Sequence, residues 1–426
     1  MKLRIHGGRL IDPASGLDEI GTLCVADGRI VAAGESPEPF TADREIDAGG
    51  LVVCPGLVDL QARLREPGQE HKGTIESETA AAAAGGITTL CCPPDTDPVT
   101  DTPAVANLIQ ELARRAGNTR VLPIGAMTPG LRGEQICEMF ILSQSGCVAF
   151  SNAERAIVNT EVLRRAMEYA ATHDLTLFLR PQDPWLSANG CAHEGAVSTR
   201  LGLRGIPGFA ETMEVARLLI LAEQTGARIH LGPLSTARAI QMIGRAQYDG
   251  LPVSASVSAH HLHLTELDIN DFDSRAYLRP PLRTQRDREG LHRGLVRGVI
   301  GAICSDHQPH DIDAKLAPFA ESEPGATAVE TLLPLSLRLA DQGVLSLSEV
   351  IAALTWRPAR ILGIPAGTLS PGAAADICIF DPERYWTVAP ETLISQGHNT
   401  PLMGWELKGR VTHTLLEGRL VYQLKG

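Results

Sequence analysis

The chain has 426 residues, 44% hydrophobic and 21% charged, which suffices for a large buried core and is the balance of a globular protein, not a disordered or fibrous one. Its formal charge of −12, with arginines scattered among acids, speaks against nucleic-acid binding, which needs clustered Lys and Arg. No apolar run approaches the roughly 20 residues of a membrane span, and Met1 to His6 leads into a strand pattern without a signal-peptide core, so a cytoplasmic protein with no membrane contact is expected.

Residues 1–53 read as short strands: an apolar-polar alternation to Ile11, a turn over Asp12 to Gly16, and a hairpin from Val25 to Val31 around Asp27-Gly28. From residue 54 the pattern changes to short β-rich runs that alternate with longer helical stretches. The runs lie near residues 54–60, 88–92, 120–125, 147–151, 175–179, 228–231, 251–257 and 299–304. The helical stretches are Thr74 to Gly85, Thr102 to Ala116, Glu134 to Gln144, Thr160 to His173, Ala210 to Thr225, Thr236 to Gln247, Thr284 to Arg297 and Ala328 to Gln342. Eight such units over residues 54–362 predict a (β/α)8 TIM-like barrel, whose chemistry sits where the strands end. Residues 363–426 return to strands, with Asp376 to Asp381 extended and two strands around Glu417-Gly418, so both chain ends are expected to build one small β-sandwich domain. The nine dispersed cysteines, Cys91-Cys92 among them, fit no disulfide framework or zinc spacing and read as reduced core residues.

The segments Pro55-Gly56-Leu57-Val58-Asp59-Leu60-Gln61-Ala62-Arg63-Leu64-Arg65, Ala83-Ala84-Gly85-Gly86-Ile87-Thr88-Thr89, Leu201-Gly202-Leu203 with Pro207, Ala259-His260-His261-Leu262, Pro280-Pro281-Leu282-Arg283, Ser305-Asp306-His307-Gln308-Pro309-His310 and Asn399-Thr400-Pro401 together carry a resemblance. They resemble class I dihydroorotases, metal-dependent enzymes of the amidohydrolase superfamily, and span nearly the whole chain. The resemblance implies a zinc site made from six positions. Its His-x-His pair falls on Gln61 and Arg63, its fourth-strand aspartate on Asn152, its fifth-strand histidine on Arg180 and its sixth-strand histidine on Pro233. Only Asp306 keeps the family's residue, and stands as a vestige of the site. An arginine brings a fixed positive charge and no lone pair to a place meant for a cation. Zinc lowers the pKa of bound water from about 15.7 to about 7, roughly 12 kcal/mol of activation that a lone carboxylate does not supply. No metal, no cofactor and no dihydroorotase catalysis are therefore expected.

Arg65 and His310 match the family's carboxylate-binding arginine and histidine, whereas Asp95 and Arg279 replace asparagines on the substrate side. Asp95 is expected to repel dihydroorotate. Arg63 and Arg180 are candidates to pair with Asp306, a guanidinium replacing the metal's charge. The resemblance further implies a role: the sequence is similar to the non-catalytic dihydroorotase-like chain that some bacteria assemble with the catalytic chain of aspartate carbamoyltransferase, in a dodecamer with six of each. The expected function is thus a pseudoenzyme subunit in pyrimidine biosynthesis, forming a homodimer within a larger hetero-oligomer. Two alternatives stay open. One is a cyclic-amide hydrolase with a relocated metal on His261, His263 and Asp306, the two histidines sharing a strand-type spacing. The other is a carboxylate sensor that uses Arg65 and His310.

Overall fold

The computed structural model describes residues 1–35, 39–269 and 271–425. Eight parallel strands form one nearly closed barrel sheet, in chain order Leu57–Asp59, Ile87–Cys92, Arg120–Ala126, Ala149–Ser151, Thr176–Leu179, Arg228–Leu231, Val253–Ser258 and Ala302–Cys304. The first and last strands meet through side chains and a short bridge. The Asp59 carboxylate accepts the Ser305 N–H at 2.9 Å and the Ser305 hydroxyl. Ala62 bridges to His307, and the Arg63 N–H donates to the His307 carbonyl at 2.9 Å. Residues 60–63 thereby prolong the first strand into the barrel mouth.

A helix follows each strand: Ile75–Ala84, Pro103–Ala116, Met139–Gln144, Thr160–Thr172, Phe209–Thr225, Ala237–Tyr248, Gln285–Val296 and Leu332–Asp341. The third begins at Met139, not Glu134, because Cys137 turns back to donate its N–H to Met127 O at 2.8 Å. The eighth begins at Leu332, since the stretch from Ala328 is bound into the loop after the last strand, where the Ala328 N–H donates to His307 Nδ1 at 3.0 Å. Helix starts are set by local chemistry elsewhere: Thr74, Thr236, Thr284 and Ser346 each accept a backbone N–H in the first turn that follows.

Two buried carboxylates fix this frame. Glu211 accepts from the N–H and hydroxyl of Ser235, at 2.9 and 2.5 Å, and from those of Thr236, at 2.8 and 2.6 Å. Glu78 accepts the Ser395 hydroxyl at 2.5 Å and the Gln396 N–H at 3.0 Å, and lies 2.9 Å from Nε2 of His307. Because His307 Nδ1 accepts from Ala328, Nε2 carries the proton that faces Glu78.

Both chain ends enter a second, eight-stranded sheet, as the sequence predicts. Its continuous path runs through Arg419–Gln423, Glu406–Leu416, Ile377–Thr387, Val52–Pro55, Lys2–Asp12, Leu17–Ala26 and Arg29–Gly34, with Arg44–Asp47 paired to Lys2–Asp12. The hairpin turns are those expected, with Asp27-Gly28 and Glu417-Gly418 at positive φ. A separate apolar cluster, including Leu3, Ile5, Leu23, Val25, Ile377, Ile379 and Leu415, forms this domain's core. The apolar run near residues 54–60 is split between the two sheets at Gly56, where a Cβ would stand 2.2 Å from Thr88 Oγ1. All nine cysteines are buried. Among the described residues no helix is long and apolar enough to cross a membrane.

Candidate functional site

In a barrel of this kind the strand ends converge on one mouth. Here Gln61 and Arg63, two residues apart on the prolonged first strand, both face it, and Glu154, Arg180, His230 and Asp306 join them. Gln61 Nε2 donates to Asp306 Oδ1 at 2.7 Å, and Gln308 Nε2 donates to the same oxygen at 3.3 Å. Arg63, 6% exposed, donates from Nε to Asp95 at 2.8 Å and from Nη2 to Glu154 at 3.2 Å, while Nη1 stands 3.8 Å from Asp306. Arg180 Nη1 lies 2.6 Å from Glu154 Oε1. That contact is close in distance but lacks hydrogen-bond geometry, and among the described residues none of the three Arg180 side-chain nitrogens has a hydrogen-bond partner.

The electrostatics follow from this packing. Burial works to raise the Glu154 carboxyl, but Arg180, Arg63 and Arg279 overcome it and hold the group down at about 2. Burial also pushes Asp306 up to about 6, more than Arg180 and Arg63 pull it down, with Glu154 adding to the rise. Asp306 has φ 50°, a left-handed conformation that aspartate tolerates better than most residues. His230 bonds both ring nitrogens to hydroxyls, Ser254 and Ser256, each at 2.9 Å, and burial lowers it to about 3. The remaining space is about 20 Å³, room for about one water molecule, whereas small-molecule sites run to about 300–1,000 Å³.

The other expected positions are equally committed. Asn152 Oδ1 accepts the Thr128 hydroxyl at 2.7 Å, and its Nδ2 donates to the carbonyls of Leu131 and Arg155 at 3.2 and 2.9 Å, so it staples loops. Pro233 is buried and brings no side-chain donor or acceptor. Asp95, expected to repel an anionic substrate, is neutralised by Arg63. The expected pairing of both arginines with Asp306 is redistributed: Arg63 reaches it at 3.8 Å, and the ion pair of Arg180 is with Glu154. Arg65 and His310 do meet, with Arg65 Nη2 at 3.0 Å from His310 Nε2.

A zinc ion does not fit this donor set, since the former ligand positions hold two guanidinium groups, two amides and a proline around one carboxylate. The relocated site on His261, His263 and Asp306 is also overturned. The strand ends at Ser258 and the histidines lie in or just after the 3-10 turn Ala259–Leu262, so the alternation that would align them does not apply. His261 is engaged at both nitrogens, by Ser258 Oγ at 2.7 Å and Pro280 O at 3.0 Å, and His263 Nε2 turns to Leu335 O at 2.7 Å. Among the described residues no group of three or more His, Cys, Asp or Glu side chains is placed to hold a metal.

Sequence reasoning missed Glu154, two residues beyond Asn152. A signal existed: two arginines entering a buried mouth demand a carboxylate besides Asp306.

The chain matches the Dihydro-orotase-like family over residues 50–239 and the Amidohydrolase family over residues 327–422. It is 50% identical to a protein of Pseudomonas aeruginosa named "Dihydroorotase-like protein", over 99% of this chain and 100% of that one. It is 44% identical to a "Dihydroorotase" of Syntrophotalea carbinolica over 100% of both chains. In fold it is similar to an L-hydantoinase from Arthrobacter aurescens, with a TM-score of 0.87 at 24% identity, covering 99% of this chain and 96% of that one.

Proposed function

The chain belongs to the dihydroorotase-like family of amidohydrolases, and from that premise we propose that it is a non-catalytic member, a partner subunit of aspartate carbamoyltransferase in pyrimidine biosynthesis. One observation carries the reading: the mouth is filled by its own ion pairs, with Arg63 and Arg180 sharing Glu154 and Gln61 bound to Asp306, in about 20 Å³ of remaining space. Hydrolysis of a cyclic amide needs an activated water and room for the ring beside it. Neither is served by a site whose one surviving carboxylate is capped by two amides.

The partner role is supported from outside the barrel as well. Phe209, Met213 and Ile220 are 54%, 58% and 60% exposed along one helix, a spacing that lines one face, and exposed Trp185 and Val158 lie on segments hydrogen-bonded to that helix or its arginine. Such a cluster suits a subunit that functions assembled.

The deciding experiment joins two measurements on protein produced with zinc supplied and with the aspartate carbamoyltransferase catalytic chain co-expressed. Co-elution of the two chains as a stable complex is expected, with neither stoichiometric zinc nor dihydroorotase turnover in this chain alone. Stoichiometric zinc with turnover overturns the non-catalytic reading; separate elution overturns the partner.

A further inference from the structure

The strand Val52–Pro55 carries the chain from the sandwich into the barrel, and Ile377–Thr387 lies antiparallel beside it. Their register sets Cys54 directly opposite Cys378. Among the described residues no other two cysteines are register partners. Side chains alternate along a strand, and directly opposed residues share a face. Val53, Ile377 and Ile379 enter the sandwich core, whereas Cys54 and Cys378, with Val52 and Phe380, enter the core shared with the barrel. Both cysteines are fully buried, and Gly86 closes over them: a Cβ there would stand 2.5 Å from Cys378 Sγ. The two thiols interact, since contact with Cys378 is the first cause, ahead of burial, that pushes the Cys54 thiol up.

Directly opposed residues of an antiparallel pair have Cα atoms about 4.5 or 5.5 Å apart, and a disulfide accepts about 4.4–6.8 Å, so a bridge here needs no large backbone shift. Burial governs when it can form. A buried thiol is a poor nucleophile, and sulfurs sealed between the sheet and the barrel are out of reach of dissolved oxidants and reductants. Exchange therefore belongs to the moment when the strand Ile377–Thr387 arrives, before packing closes over the pair.

We propose that Cys54 and Cys378 are a disulfide site, bridged when the chain folds in the presence of a small-molecule disulfide and then sealed in whichever redox state folding left it. One cysteine thiolate attacks the small disulfide and releases one small thiol. The second thiolate attacks the protein sulfur of the mixed disulfide and releases the other small thiol. Two protons leave the protein, and its two electrons reduce the small disulfide. The bridge encloses residues 55–377, the entire barrel, and ties the strand that leads into it to the first strand that follows it. The proposal does not depend on the partner-subunit reading, because it concerns a single chain.

The test unfolds the full chain in guanidinium chloride with reductant, then refolds one portion with reduced and oxidised glutathione and another with reductant alone. Iodoacetamide then caps the remaining thiols under denaturing conditions, and peptide mass mapping locates the bridge. In the glutathione portion two of the nine cysteines are expected to escape capping, joined as one peptide pair through Cys54 and Cys378. That material should keep its bridge in excess reductant until denaturant is added, and should melt about 2–4 °C above the reduced portion. Cys54→Ala and Cys378→Ala should each remove the bridge and the melting difference together. Capping of both cysteines, a bridge to any other cysteine, or loss of the bridge from the folded chain in reductant overturns the proposal. Should the chain not refold, cell-free synthesis with and without oxidised glutathione supplies the two portions, judged by the same map.

Discussion

The barrel holds two kinds of buried charge, and they are satisfied in opposite ways. Behind the mouth, Glu211 receives four short hydrogen bonds from two consecutive residues, every donor aimed at an oxygen. At the mouth, the charges balance while the geometry does not: among the described residues Arg63 Nη1, all three Arg180 nitrogens and Arg279 Nε are buried without hydrogen bonds. The frame is held by direction and the mouth by charge. A pocket shaped for chemistry must aim its groups at a reacting atom; the charged groups of this mouth face one another.

That contrast can be broken by experiment. Glu154→Gln keeps shape and one acceptor but removes the charge shared by Arg63 and Arg180, so it should cost about 3–5 kcal/mol in urea unfolding. A cost below about 1 kcal/mol would mean the mouth is not held by charge. Glu211→Gln removes charge where direction dominates and sets its amide against two of four donors, for an expected loss of about 2–3 kcal/mol by the same measurement.

A smaller effect separates the two carboxylates of the mouth by pH. The folded state holds the Asp306 proton more tightly than the unfolded chain does, up to about 6 against an ordinary 3.8, so ionising this group weakens the fold and its contribution falls as pH rises across that window. Glu154 has the opposite sign: held at about 2 against an ordinary 4.5, it contributes stability above that ordinary value and loses it on acidification. Asp306→Asn should flatten the decline between these limits in a stability-pH profile, and an unchanged slope would remove Asp306 as its source. Least of all, Thr236→Val deletes one hydroxyl from the Glu211 cradle and the cap it gives to Ala239, costing about 1 kcal/mol.

The frame was legible in the sequence because periodicity and turn chemistry are local. The eight strand runs, the Asp27-Gly28 and Glu417-Gly418 turns and the pairing of both ends in one sheet are all found. The two shortened helices were not legible, since their starts depend on bonds to Met127 and His307, far from any propensity signal. At the mouth, the identities of Gln61, Arg63, Asn152, Arg180 and Pro233 could be read position by position, but their partners could not. Glu154 meets Arg180 because the fourth and fifth strands lie side by side, with Phe178 in register with Ser151, and meets Arg63 of the prolonged first strand across the mouth. The spacing of His261 and His263 misled, because side-chain alternation holds only while the strand lasts, and it ends at Ser258. Nothing in one dimension marks Cys378 as the partner of Cys54 on the neighbouring strand.

The joining of the two ends also bears on how the protein is made. Val52–Pro55 lies between Lys2–Asp12 and Ile377–Thr387, so its outer neighbour is encoded about 320 residues after it. At a ribosomal pace of about 5–20 residues per second, that edge waits roughly 15–60 s for its partner. For that interval the growing chain carries an open, apolar strand beside a half-built barrel, the window in which a chaperone or a neighbouring nascent chain meets it first.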